Sequence, residues 1–113
     1  METDDIPTHK YSLWVPMADF ADVACLGKLI EEANELAGIA ARCIIQGGLD
    51  KIEPVTHKPN RRALEDEIAD VLALIALTTS RFGLDLEAIE KRRIAKFDYK
   101  LPWLRDLDES LRP

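Results

Sequence analysis

Histidine and cysteine are scarce in this chain, and their scarcity excludes chemistry. There are two of each in 113 residues. The histidines, His9 and His57, fall in stretches without helical periodicity, and no Cys/His spacing of a zinc site is present. A di-iron site on helices would call for Glu-x-x-His on two of them, and that pattern is missing too. Cys25 and Cys43 lie in one expected helix, 18 residues and so about 27 Å apart, too far to bridge. They read as buried reduced thiols of a cytoplasmic protein. No long apolar run exists: the longest, VLALIAL at 71–77, is far short of the roughly 20 residues that span a membrane. The opening METDD is acidic and does not resemble a secretory signal. Excess basic charge is lacking as well. The net charge of −6 argues against a nucleic-acid binder, which uses Lys and Arg to displace counterions. There is no Walker A loop.

Helical periodicity is what the chain does have. Its length suits one domain, 1–113. From about Met17 to Gln46 the apolar residues Leu26, Leu29, Ala33, Leu36, Ala40 and Ile44 recur every three or four positions. Pro16 suits the start of this helix and Gly47-Gly48 its end. Residues 49–59 hold two prolines and no sustained period, and read as a loop. Asn60 is placed to cap a second helix that runs to about Phe82, with Leu64, Ile68, Val71, Leu72, Ile75 and Thr79 as its stripe. Asp85 is placed to cap a third, basic helix to about Tyr99, and Pro102 is expected to stop it. No strand-type alternation appears. The expected fold is all-α: two long antiparallel helices plus a shorter third. Two such helices do not close a bundle, so a homodimer, or a dimer of dimers, is expected to complete a four-helix core.

Acidic residues interrupt these periodic segments in a particular way. In LIEEANELA, Glu31, Glu32 and Glu35 fit within one arc of about 100°, where like charges repel. In the second helix Glu67 shares a line with Leu64, Val71, Leu74 and Thr78, so its neighbours on the cylinder are largely apolar, and Asp70 stands about 60° away. Carboxylates in a half-buried stripe are costly unless they are paired, protonated or bound to a cation. Two helices that carry such clusters toward a shared groove offer only oxygen ligands, which suit a hard cation, Mg²⁺ or Mn²⁺. Basic charge concentrates elsewhere: KRRIAKFDYK at 91–100 holds five bases and one acid, and Arg93 and Lys96 can share a face. A solvated acidic face on a non-catalytic helical dimerisation module is the alternative, and basic residues late in a helix also favour its dipole.

The order EExxE (31–35) followed by ExxD (67–70), within KLIEEANELA and EIADVLALI and followed by GLDLEAIEKRRIAKF, resembles the all-α nucleoside triphosphate pyrophosphohydrolases, the MazG-like superfamily. The resemblance covers roughly 23–100, and the motif-bearing part of the domain is about 17–100. It implies hydrolysis of an NTP or dNTP to the NMP and pyrophosphate. It further implies that Glu32, Glu35, Glu67 and Asp70 ligate Mg²⁺, or Mn²⁺, that Glu31 orients or deprotonates water, and that Arg93 and Lys96 meet the phosphates. Among the aromatic residues, Trp14 is the candidate to stack on the base.

Overall fold

The computed structural model describes residues 14–110. They form three helices, α1 (Phe20–Gln46), α2 (Asn60–Phe82) and α3 (Leu86–Ser110), with no strand beyond an isolated bridge between Ile52 and Pro59. The all-α expectation holds for these residues. No helix among them is long and apolar enough to cross a membrane.

Helix α1 begins three residues later than the periodicity suggests. Asp19 keeps an extended backbone and its carboxylate accepts the backbone N–H of Asp22 at 2.9 Å, so the cap falls at Asp19 and not at Pro16. The helix ends where Gly47 turns left-handed (φ 93°), which lets the Gly48 N–H return to the Cys43 carbonyl at 2.8 Å. Gly83 ends α2 in the same way, with φ 59°. Asp85 caps α3 as expected, accepting the Ala88 N–H at 3.0 Å.

Two expectations about helix limits are corrected. Asn60 does not cap α2. Pro59 occupies that position, and Asn60 is the first helical residue with its side chain fully buried. There its amide donates to Gln46 Oε1 (2.9 Å) and the Gly48 carbonyl (3.2 Å), and accepts from Arg42 Nε (3.2 Å). A side chain with these three partners ties the end of α1 to the start of α2, which a capping bond could not do. The third helix is also neither short nor stopped by Pro102. It runs 25 residues against 23 for α2 and contains Pro102. A proline removes one backbone donor and crowds one carbonyl, at about 3 kcal/mol. Good helix formers on both sides, Lys100 and Leu101 before it and Leu104, Arg105 and Leu107 after it, carry the helix past it.

Helices α1 and α2 pack antiparallel along their lengths, and this is the one extensive helix–helix contact among the described residues. Cys25 lies against Thr78 (Sγ to Oγ1 3.5 Å) at one end and Asn60 against Gln46 at the other, which fixes the register. Both cysteines are buried and free. The core of this hairpin is thin: Cys25, Cys43 and Ala63 are the buried apolar residues among those described. Helix α3 buries nothing, and the chain is elongated, with a radius of gyration of 20.4 Å where a compact chain of this length would have about 13 Å.

Asn60→Ala should strip partners from Gln46, Gly48 and Arg42. The expected loss is about 2–4 kcal/mol in urea denaturation, with Asn60→Asp, which keeps an acceptor for Arg42, losing less.

Candidate metal centre

At about 100° per residue, Glu32 falls on nearly the same line of α1 as Cys25, and Glu67 on nearly the same line of α2 as Asn60 and Thr78. These are the lines along which the hairpin closes, since Cys25, Asn60 and Thr78 are all buried. Glu32 and Glu67 are therefore carried into the seam between the helices. Glu35, one turn on from Glu32, reaches the same point from the exposed side. One carboxylate oxygen from each of Glu32, Glu35 and Glu67 lies within 4.8 Å of the others.

The burial falls from Glu67 (7% exposed) through half-buried Glu32 to exposed Glu35. Glu32 Oε2 and Glu67 Oε1 are buried and meet no donor. A buried carboxylate oxygen without a donor is costly, and two facing each other are costlier. The molecule's response is to favour a proton. The Glu67 carboxyl is pushed up to about 7, first by a hydrogen bond with Glu32 that the protonated form makes, then by burial, then by the charges of Glu32, Glu35 and Asp70. Glu35 is raised as well, chiefly by the charge of Glu32, with desolvation and Glu31 adding to it. A divalent cation would answer the same need as that proton. Three convergent carboxylates with two orphaned buried oxygens fit a hard, oxygen-seeking ion, and the donor set holds no nitrogen or sulfur.

The other expected site residues take different places. Asp70 is exposed and outside the group of three, though near enough for its charge to act on Glu67. Glu31 stands at the rim in an ion pair with Lys28 at 3.1 Å, both half in solvent. Arg93 is not brought to the carboxylates. It lines a groove with Leu72, Ile75 and Thr79, and Leu72 is about 160° around α2 from Asp70. There its guanidinium grips Glu90 at 3.0 Å. Lys96, three residues on, is exposed. Trp14 is 98% exposed on the extended lead-in to α1 and lines neither groove described here.

Two basic residues stand on the carboxylate side that sequence reasoning does not assign to the substrate: Lys28, seen only as an offset to the α1 carboxylates, and Arg81. A groove of about 670 Å³ adjoins the cluster and shares Glu32 with it, and Lys28 and Arg81 are its cations. Arg81 closes the far end of the hairpin by donating to Asp22 (2.8 Å) and Asp19 (3.1 Å). The signal for Lys28 was in the sequence, four residues before Glu32. Arg81 is 59 residues from Asp22, and no local pattern joins them.

No family model, no curated protein and no solved structure matches the chain.

The raised Glu67 carboxyl sets the sign of a pH effect. The folded form holds its proton up to about 7 and an unfolded glutamate only to about 4.5. Its contribution to stability is thus complete below 4.5 and is lost as pH rises to 7. In EDTA the melting temperature should fall across that window. Glu67→Gln should flatten the fall and melt higher than the wild type at pH 8. Glu35, also raised, adds to the fall in the same sense, whereas Asp19, Glu53, Asp66 and Glu90, all lowered, act in the opposite sense at more acidic pH.

Proposed function

We propose that this chain is a divalent-cation-dependent nucleoside triphosphate pyrophosphohydrolase that converts an NTP or dNTP to the NMP and pyrophosphate. The observation that carries the reading is the pair of buried, donorless oxygens of Glu32 and Glu67, with Glu35 beside them. The ordered EExxE and ExxD motifs, and their likeness to the MazG-like superfamily, direct it to nucleotides.

Glu32, Glu35 and Glu67, with Asp70 alongside, would hold Mg²⁺ or Mn²⁺. The ion would neutralise phosphate oxygens and polarise the α-phosphorus. Glu31 is the candidate to orient the attacking water and accept its proton. The ion pair of Glu31 with Lys28 is half in solvent and weak, so substrate can exchange it. As water oxygen bonds to the α-phosphorus, the α–β bridging bond breaks and its electron pair leaves with pyrophosphate.

A second copy of the chain belongs to this reading. Ile30, Ile68, Leu72 and Ile75 are 63, 43, 59 and 41% exposed, along faces of α1 and α2 turned away from the carboxylates. With so few buried apolar residues, one chain alone leaves most of its apolar surface wet. Pairing two hairpins through these faces gives a four-helix bundle. In such a dimer, Arg93 and Lys96 could serve phosphates only at the site of the other copy, since Arg93 lies on the far side of α2 from its own carboxylates. A non-catalytic dimerisation module would use the same apolar faces, and the cation separates the two readings.

Pyrophosphate and the nucleoside monophosphate should both appear from an NTP and dNTP panel with Mg²⁺ and vanish with EDTA. Glu35→Gln should reduce turnover at least a hundredfold with unchanged helix content; a variant as fast as the wild type would falsify the site. Sedimentation should give a dimer, and Leu72→Glu should shift it to monomer.

A further inference from the structure

The groove beside the carboxylates has a shape and charge that the metal centre leaves unexplained. Its walls are apolar and partly small: Ala21 and Ala24 from α1 face Leu74 and Leu77 from α2. Its polar groups lie at the ends. Glu32 and Lys28 stand where the groove meets the metal centre, and Arg81 stands toward the start of α1. Phe20, 87% exposed, borders that outer end. A volume of about 670 Å³ falls in the range of small-molecule sites, roughly 300–1,000 Å³.

We propose that this groove seats the base and sugar of the nucleotide, with the phosphates running from Lys28 onto the cation held by the carboxylates. The proposal deepens the pyrophosphohydrolase reading and rests on it for the identity of the ligand. Charge complementarity selects this occupant. A nucleotide is an anion with a flat, largely apolar body, and the groove offers apolar walls ending in an ammonium at the cation side. Glu31 hydrogen-bonds and faces the Lys28 ammonium and keeps it protonated, with Glu32 and Glu35 adding to this. A second copy of the chain fits worse. It would have to desolvate Lys28, its partner Glu31, Glu32 and Arg81 together, whereas the face through Leu72 and Ile75 carries a single ion pair, Arg93 with Glu90. The Arg81 guanidinium at the outer end is already held by Asp19 and Asp22.

Ala24 is exposed, so a larger side chain there fills the groove without entering the hairpin seam. Full-length wild type, Ala24→Phe and Leu77→Ala are compared by calorimetry. The probes are Mn²⁺ alone, inorganic triphosphate with Mn²⁺, and the α,β-methylene analogues of the four dNTPs with Mn²⁺. Ala24→Phe should weaken the analogues by about tenfold or more, from the apolar area denied to the base. Leu77→Ala should weaken them in the same direction. Mn²⁺ and inorganic triphosphate should bind both variants as they bind the wild type. Analogue affinity unchanged in Ala24→Phe overturns the proposal, as does an equal loss for inorganic triphosphate. An altered sedimentation coefficient with unaltered analogue binding also overturns it and assigns the groove to a second copy. A wild type that binds the analogues in this groove-dependent way yet releases no pyrophosphate from NTPs upholds the seat and removes the reaction.

Discussion

Two like charges with nowhere to go set the terms for this molecule. Glu32 and Glu67 are brought into the seam between α1 and α2, where each keeps an oxygen that meets no donor. Water would satisfy those oxygens on an open surface. In the seam, the remaining options are a shared proton or a bound cation. The high carboxyl of Glu67 is the first option made visible, and the open side at exposed Glu35 leaves access for the second. A site of this kind trades stability for binding. The proton on Glu67 relieves that crowding of charge, and a cation would relieve it in the same way.

The contacts at the two ends of the hairpin make that confrontation unavoidable. At one end Asn60 is locked to Gln46, Gly48 and Arg42. At the other, Cys25 meets Thr78 and Arg81 grips Asp19 and Asp22. Between these clamps, α1 and α2 cannot slide by a turn, a shift of about 5.4 Å that would set Glu67 against a different neighbour on α1. The thin apolar core could not enforce the register by itself, because Cys25, Cys43 and Ala63 offer little shape to interlock. Polar bonds therefore do here what side-chain packing does in a larger domain.

Much of this was legible before the structure. The 3.6-residue period of α1 and α2, the glycine at the end of each, the capping role of Asp85 and the apolar line that carries Glu67 all follow from local spacing. The errors have local causes too. Pro16 looked like a helix start because proline favours that position, but the carboxylate of Asp19 supplies an actual hydrogen bond and wins. Asn60 looked like a cap because that is the commonest use of asparagine before a helix. Its partners lie 12 to 18 residues away across the loop, where no helix-end rule reaches. Pro102 looked like a stop because the penalty of one proline was weighed without the helix-forming residues that follow it.

The sequence by itself determined the all-α class, the position of the hairpin turn, the shared arc of Glu31, Glu32 and Glu35 on α1, and the apolar line of α2 that carries Glu67, because these are consequences of local spacing and a fixed angle per residue. Tertiary structure alone decided that Glu32, Glu35 and Glu67 form the tight group while Asp70 stays at its edge, and that Arg93 faces away. It also decided that Lys28 and Arg81 share a groove with Glu32. The physical reason is that angular spacing on one helix says nothing of the register between two. That register is set by contacts such as Cys25 with Thr78 and Asn60 with Gln46, whose partners are far apart in the chain.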